Sequence, residues 1–296
     1  MAESAEAADS VLRVAGVVVA AETGGTVENH RSREEGLIVY PVYSRRAGGL
    51  SIGINLYPDK KYCNFNCAYC EVFPFKNDVS FSIALLESAL RKAVANALSR
   101  GIPISDICFS GNGEPSISEN FAEALRVVSA IRDSMLKDTV SIVIISNGAG
   151  LLSENGFDLM QEAVSRYAPV NLWLKLDAGS EDWFRKMDGC AAGFEPLCSA
   201  IKEFARHNEC VIQTMHCSVN GEPPSAKEMR DWAGLTAEIA KPGNVRLVQI
   251  YGKARPSPHD PLCEALPLSS LEERALYLKT AFKNAGVTNT PVAVYE

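Results

Sequence analysis

Hydrophobic positions along this chain follow two different periods in turn. Residues 50–56 (LSIGINL) form a short run rich in branched apolar side chains, and residues 81–100 place apolar side chains every three or four positions. The first pattern is typical of a β-strand and the second of one face of an α-helix. The same succession recurs along the rest of the chain, so we predict a fold built from repeated strand–helix units.

Six such units are predicted. The strands are expected at residues 50–56, 104–111, 139–146, 170–177, 210–219 and 244–251, and the helices at residues 81–100, 121–135, 153–167, 194–208, 225–240 and 269–285. This order indicates an α/β protein with a parallel sheet, either open and doubly wound or curled like a barrel. Residues 290–296 (TPVAVYE) could add an edge strand. We expect residues 1–45 to form a partly disordered N-terminal extension and residues 46–296 to form one domain.

The composition limits the cellular location and the classes of binding partner that we expect for this protein. The 296 residues carry a net charge of −7, which argues against a protein that coats nucleic acid. No apolar run reaches the roughly 18 residues that cross a bilayer, so we expect no membrane partner. Residues 11–21 are apolar, but their flank is acidic where a secretory signal is basic. Nine cysteines, mostly scattered, form no disulfide framework, so we expect a cytoplasmic protein with reduced thiols.

Polar and glycine-rich motifs follow directly after the predicted strands. A loop with three cysteines follows the first strand, GNGEP (111–115) follows the second, SNGAG (146–150) ends the third, and KLD (175–177) closes the fourth. In parallel α/β folds, ligands bind at the carboxyl ends of the strands. We therefore expect these motifs to converge on one mouth.

The cysteines of the first motif are Cys63, Cys67 and Cys70, spaced Cys-x3-Cys-x2-Cys. Three readings of this spacing stay open. The thiols could be ordinary structural cysteines, or they could bind zinc with a fourth ligand from elsewhere, such as His216. They could also hold an iron–sulfur cluster through three thiolates, which leaves one iron open to another ligand.

This motif, with the aromatic Tyr69 before its last cysteine, resembles the signature of the radical S-adenosylmethionine (radical SAM) superfamily. The resemblance implies a [4Fe-4S] cluster on Cys63, Cys67 and Cys70 whose open iron chelates S-adenosylmethionine. An external one-electron reductant then drives cleavage to a 5′-deoxyadenosyl radical, which abstracts hydrogen from the substrate. The family fold, a partial (β/α)6 barrel, agrees with the six predicted units.

The stretch GNGEP is similar to the family motif Gly-Gly-Glu-Pro after the second strand. Gly113, Glu114 and Pro115 match that motif, and Asn112 replaces its first glycine. Asparagine tolerates positive φ better than most residues, so the turn could survive the change. The resemblance implies that backbone carbonyls here and the Glu114 carboxylate receive the methionine amine.

Four further residues are carried over from the family. Ser146 and Asn147 resemble a polar pair that binds the ribose hydroxyls or the methionine carboxylate, and an ordinary strand-to-helix turn is the alternative. Tyr69 would lie near the adenine, or else be a core aromatic. Ile250 could line the adenine pocket, although the family's late glycine–glutamate pattern is not clear in this chain.

Residues 44–56 (SRRAGGLSIGINL) narrow the resemblance to an iron–sulfur oxidoreductase branch related to wybutosine-type tRNA-modifying enzymes. The similarity covers about residues 40–255. Arg45 and Arg46 could bind an anionic group of the substrate or cofactor, bidentately if the geometry allows. A solvated basic pair on a loop is the alternative.

Lys175 and Asp177 are the candidates for contact with the substrate. Alternate residues of a strand share a face, so both point the same way, and burying either unpaired would be costly. Lys175 could form an imine with a carbonyl substrate if burial lowered its pKa. An internal ion pair that supports the strand end is the alternative. Thr214 and His216 share a face of their own strand, where a lone histidine is usually structural.

The other cysteines raise the possibility of a second cluster. They form no compact motif, so buried free thiols are favoured: Cys108, Cys190, Cys198, Cys210, Cys217 and Cys263. The leading hypothesis is a radical SAM enzyme with an unidentified substrate. The alternatives are a tRNA-base-modifying enzyme, which the acidic charge does not favour, a non-catalytic zinc-stabilised binding protein, and an activase of a glycyl-radical enzyme.

Overall fold

The computed structural model describes residues 36–44, 46–136 and 140–295 in full, and residues 13–14 and 17–18 as backbone. The latter are strands β1 (Arg13–Val14) and β2 (Val17–Val18), which pair with each other in antiparallel fashion. The rest of the predicted extension up to residue 35, and Arg45, lie outside the described residues.

The predicted succession of strands and helices is confirmed. The remaining strands are β3 (Val39–Ser44), β4 (Gly49–Ile54), β5 (Ile104–Phe109), β6 (Ser141–Ser146), β7 (Val170–Lys175), β8 (Cys210–His216), β9 (Val245–Gly252) and β10 (Val292–Tyr295). The helices are α1 (Ile83–Ser99), α2 (Phe121–Met135), α3 (Glu154–Arg166), α4 (Glu181–Met187), α5 (Phe194–His207), α6 (Ala226–Ala240) and α7 (Leu268–Ala285). Serine side chains cap the N-termini of α1, α3, α4 and α6.

Strands β3 to β10 form one sheet in sequence order. Every neighbouring pair from β4 to β10 is parallel, and β10 is the edge strand that the C-terminal tail could add. The sheet curls into a half-barrel with helices on its outer face. The α/β class and the partial barrel are therefore as predicted, and all of the parallel strands present their carboxyl ends at the same rim.

Successive side chains of each strand point to opposite faces of the sheet, so two separate hydrophobic cores form. In β5, Ile107 and Phe109 belong to the large core between the sheet and the helices, whereas Cys108 faces the inside of the half-barrel. Val143 and Trp173 join Cys108 on the inside, so the floor of the barrel is apolar. Apolar side chains on both faces of the sheet explain why these strands read as near-continuous apolar runs.

Two elements carry no clear signal in the sequence. Strand β3 pairs antiparallel with β4 from Val39 opposite Ile54 to Ser44 opposite Gly49, inside the stretch assigned to the extension. It contains Pro41, a residue that strands tolerate mainly at edges, which weakens the pattern. Helix α4 has only seven residues, too few to show a helical period. No helix of the described residues has the length and apolar character needed to cross a membrane.

Candidate active site

A cavity of about 420 Å³ occupies the inside of the half-barrel, a size typical of small-molecule sites. The motifs expected to converge do so. The predicted site residues that line this cavity are Cys63, Cys67, Tyr69, Cys70, Gly113, Glu114, Ser146, Asn147 and Lys175. Asp177 lies behind Lys175, and Pro115 is buried at the start of a short 3-10 turn.

The cysteine loop (residues 61–72) is joined at its start to the GNGEP turn. The Tyr62 backbone N–H donates to the Asn112 carbonyl at 3.0 Å, and the Glu114 N–H donates to the Tyr62 carbonyl at 3.0 Å. A Cβ atom on Gly113 would lie 1.9 Å from the Tyr62 carbonyl oxygen. Glycine is therefore required here because two backbone segments pass in contact, and this contact sets the position of Cys63.

The middle of the cysteine loop is held by the end of helix α4. The Asn66 N–H donates to the Asp188 carbonyl at 3.0 Å, and the Ala68 N–H donates to the Met187 carbonyl at 2.8 Å. These bonds flank Cys67 on both sides. Helix α4 thus positions the second cysteine, a role that nothing in the local sequence signals.

The end of the cysteine loop is held by the C-terminal loop (residues 253–267). The Ser257 hydroxyl donates to the Ala68 carbonyl and, at 3.2 Å, to that of Cys70. Arg255 forms an ion pair with Glu71 at 2.9 Å. Three separate parts of the chain therefore fix the loop that carries the thiols.

Glu114 joins the turns that follow β5 and β6. Its Oε1 accepts from the Ser146 hydroxyl at 2.7 Å and from the Ser116 N–H at 3.0 Å, and its Oε2 accepts from the Asn147 N–H at 2.7 Å. Burial raises the pKa of Glu114, and these donors act against that rise. Both carboxylate oxygens are engaged within the protein, so Glu114 orders Asn147, whose Nδ2 donates to the Asn64 side chain at 3.1 Å.

Lys175 and Asp177 form the internal ion pair that strand alternation allows, with Nζ and Oδ1 at 3.0 Å. Asp177 also accepts from the Tyr69 hydroxyl at 2.6 Å and from the Met215 N–H at 2.7 Å. Lys175 donates to the Tyr251 hydroxyl. Burial alone would lower the pKa of Lys175, but Asp177 and Tyr251 raise it above its ordinary value. The lysine is therefore an ammonium at neutral pH, which removes the condition for imine formation.

The thiols of the cysteine loop are partly buried and line the cavity. Burial raises the pKa of Cys63 to about 11 and that of Cys67 well above its ordinary value, and nearby carboxylates add to both effects. Cationic iron would supply the positive charge that thiolates need here. The Phe65 N–H already points at the Cys63 sulfur at 3.4 Å, as a donor to a ligating sulfur would.

Within the described part of the chain, no three His, Cys, Asp or Glu side chains converge on a single-ion position. An iron–sulfur cluster takes its thiolates on different irons, so its ligands need not meet at one point. Three thiols from one loop, facing one cavity beside a glycine turn, are a donor set that fits such a cluster.

Ile250 and His216 lie on the helix side of the sheet. Ile250 is buried in the core between β9 and the helices, on the opposite face from Tyr251, and the structure does not bring it to the cavity wall. His216 contacts Ser270 through Nε2 at 3.1 Å, and its Nδ1 accepts from Arg274 at 2.8 Å. These contacts make His216 a structural residue with both ring nitrogens in use.

His216 should make stability depend on pH. Burial and the Arg274 guanidinium lower its pKa to about 3. The unfolded imidazole binds a proton near pH 6.5 and the folded one does not, so stability falls as pH falls from about 6.5 toward 3. The loss is about 1.4 kcal/mol per pH unit. The free energy of unfolding in urea should be about 1.4 kcal/mol lower at pH 5.5 than at pH 7.5, and His216→Gln should remove this difference.

The exposed His207 on helix α5 is the matched control. The His207→Gln variant should keep the slope of the unmodified protein. An equal slope in His216→Gln would contradict the neutral, buried state of His216.

The other cysteines are free, buried thiols. Cys198 and Cys210 belong to the core on the helix side of the sheet, and Cys108 belongs to the barrel floor. Cys217 and Cys263 touch, with their sulfurs 3.4 Å apart. Among the described residues no metal-binding group includes them.

Comparisons with known proteins give distant relatives. No family model matches the chain. UPF0026 proteins from two strains of Helicobacter pylori are 28% and 26% identical, over 229 and 223 residues. The first alignment covers 76% of this chain and 69% of the relative, and the second covers 75% and 67%.

Solved structures share the fold. A radical SAM methyltransferase from Sphaerobacter thermophilus has a TM-score of 0.60 at 14% identity, over 86% of this chain and 68% of its own. A variant of spore photoproduct lyase has a TM-score of 0.56 at 9% identity, over 94% and 88%. SuiB from Streptococcus suis has a TM-score of 0.58 at 14% identity, over 79% of this chain. Its structures include one with precursor peptide SuiA and one with S-adenosylmethionine. The match spans about half of SuiB, 47% in the peptide complex. The half-barrel fold of this chain is thus similar to the folds of the radical SAM methyltransferase, spore photoproduct lyase and SuiB.

Proposed function

We propose that this protein is a radical SAM enzyme in which Cys63, Cys67 and Cys70 hold a [4Fe-4S] cluster. The observation that carries the proposal is that all three thiols face one cavity, at the rim of a partial barrel, beside a glycine turn in contact with their loop. When bound, a cluster on these cysteines would supply the one-electron chemistry, drawn from an external reductant, by which S-adenosylmethionine is cleaved to a radical that takes hydrogen from the substrate.

The chain's own residues would hold S-adenosylmethionine on the wall that Glu114 orders. Gly113 exposes backbone on the cavity because it has no side chain, and Pro115 begins the buried 3-10 turn behind it. Ser146 donates to Glu114, so its part is to hold the turn, whereas Asn147 brings an amide beside Cys63. These contacts hold the wall in place before any ligand binds, so less conformational entropy is lost on binding.

Tyr69, Lys175 and Asp177 would form the wall that faces the substrate. The Lys175–Asp177 ion pair is buried, and its two charges are opposite. Tyr69, from the cysteine loop, donates a hydrogen bond to Asp177. A carbon radical needs an oriented substrate and the exclusion of stray hydrogen donors more than it needs a proton-transfer group. The proposed role of these residues is therefore to shape and shield the site.

The similar proteins give more support for the proposed cofactor than for any particular class of substrate. SuiB binds S-adenosylmethionine, and the half-barrel here is similar to the one in that complex. SuiB also binds a precursor peptide, but the low identity gives no reason to assign a peptide to this chain. The wybutosine-type relation would imply a tRNA substrate. Arg255 at the rim is paired with Glu71, and the net charge is −7, so a small molecule is favoured.

The test is cysteine-dependent cleavage of S-adenosylmethionine. The protein is reconstituted with iron and sulfide without oxygen, reduced with dithionite, and assayed for 5′-deoxyadenosine by mass spectrometry. We expect product from the unmodified protein and a loss of at least about 100-fold in Cys67→Ala, since cluster and chelation are lost together. Cys198→Ala removes a buried thiol remote from the cavity and should keep the activity.

Metal analysis separates the alternatives. Iron and sulfide in near-equal amounts support the proposal, whereas zinc without sulfide would support the binding-protein reading and contradict the enzyme. Adding bulk tRNA to one reaction tests the nucleic-acid alternative, because a tRNA substrate should carry the modification afterwards.

A further inference from the structure

We infer that Arg46 forms a subsite for an oxyanion, a carboxylate or phosphate, on the substrate. The inference names the substrate class for the proposed function and rests on that function for the reaction, but binding of the anion can be measured without it. Arg46 lies in the turn between β3 and β4 and lines the cavity.

Two aromatic rings fix the Arg46 guanidinium. Its Cζ lies 4.6 Å from the centroid of the Tyr251 ring and 5.9 Å from that of Trp173. A guanidinium stacked on an aromatic face keeps its N–H groups at its edge, free for hydrogen bonds. The side chain is half-buried, so it is held in place and still faces the cavity.

The Arg46 donors are not used by the described part of the protein. No described carboxylate forms an ion pair with Arg46, and no described oxygen accepts a hydrogen bond from it. Burial raises the pKa of Asp106, and the nearby Arg46 charge acts against that rise. The Asp106 carboxylate does not pair with Arg46 but accepts a hydrogen bond from the Ser51 hydroxyl. A guanidinium whose N–H donors are unused can form two parallel hydrogen bonds to a carboxylate or a phosphate.

The other cations of the cavity are already engaged. Lys175 is paired with Asp177, Arg255 is paired with Glu71, and Lys253 donates to the Cys263 carbonyl. An anion that enters this cavity therefore meets its open cationic partner at Arg46. The acidic net charge of the chain makes this local positive charge more selective for a small anion than for a polyanion.

A series of side-chain contacts links Arg46 with the cysteine loop. Arg46 and Lys175 both contact the Tyr251 ring, and Lys175 lies over the Tyr69 ring at 4.8 Å. The turn that carries Arg46 precedes β4, and its guanidinium reaches Tyr251 near the carboxyl end of β9. An oxyanion bound to Arg46 would share the cavity with the cysteine loop, and holding it there would orient the rest of the substrate within that cavity.

The test measures binding of small anions to the reconstituted protein by calorimetry, without oxygen and at constant ionic strength. The probes are phenyl phosphate, benzoate and the uncharged benzyl alcohol. We expect Arg46→Gln to weaken the better-bound anion by about tenfold or more and Arg46→Lys to weaken it less, because lysine keeps the charge without the fork. Arg91→Gln makes the same charge change on the exposed face of α1 and should change nothing.

The two anions report whether a phosphate or a carboxylate is preferred, and benzyl alcohol should be insensitive to Arg46→Gln. Equal anion affinity in Arg46→Gln, or no binding of either anion by the unmodified protein, would overturn the inference. So would displacement of the probe by S-adenosylmethionine, since Arg46 would then serve the cofactor. If anion binding depends on Arg46 but the protein takes up no iron or sulfide, the proposed function fails and the subsite stands.

Discussion

Replacing Gly113 with alanine should abolish the incorporation of iron and sulfide into this protein. The new Cβ would lie 1.9 Å from the Tyr62 carbonyl oxygen, 2.7 Å from its carbonyl carbon and 2.8 Å from the Tyr57 ring. Backbone atoms cannot rotate away as side chains do, so the cysteine loop must move. The two hydrogen bonds between Tyr62 and the turn would break, and Cys63 would move with its neighbour.

We expect Gly113→Ala to lower the free energy of unfolding by about 3 kcal/mol, from overpacking and two lost hydrogen bonds. Urea unfolding and measurement of bound iron give the two readouts. Gly234→Ala in helix α6 is the control, because a Cβ there meets nothing within 4 Å. That variant should be neutral or slightly stabilised. A Gly113→Ala protein with normal iron content would show that the contact does not position the thiols.

Asp177→Ala should destabilise the protein by about 3–5 kcal/mol. The change removes the carboxylate that pairs with the buried Lys175 ammonium and leaves Asp188 as its nearby acidic group, and it leaves the Met215 N–H and the Tyr69 hydroxyl without their acceptor. Urea unfolding measures the loss. Asp231→Ala breaks an ion pair on the exposed surface with Lys227 and should cost no more than about 1 kcal/mol.

A double variant decides whether the buried charge causes the loss. Lys175→Met with Asp177→Ala should be more stable than Asp177→Ala alone, because the unpaired ammonium is removed together with its partner. Equal losses in Asp177→Ala and in the double variant would mean that the hydrogen bonds of Asp177, and not its charge, stabilise this wall.

The sequence was most informative where a regular alternation of residues determined which side chains lie together. Strand–helix alternation placed the motifs of the cysteine loop, Gly113 and Asn147 at one rim, and strand alternation put Lys175 and Asp177 together. Alternation gives two faces but does not say which of them is inside, which is why Ile250 could be assigned to the pocket although it lies on the helix side.

Contacts between distant segments could not be read from local patterns. Asn66 bonds to Asp188 and Ser257 bonds to Ala68, across more than a hundred residues, and both depend on how the loops fold back. The role of Glu114 shows the same limit. Its motif marks the turn, but only the folded chain shows that both oxygens are used to order Ser146 and Asn147.

The support of the cysteine loop by the C-terminal loop also sets an order of events during synthesis. The cysteines leave the ribosome early, whereas Ser257 and Arg255, which hold Ala68 and Glu71, are made almost two hundred residues later. Nascent chains that stop before residue 253 would hold the cysteine loop at its start and middle but would lack the contacts that fix its end. If the proposed cluster is present, we expect it to be held firmly only after nearly the whole chain has been translated.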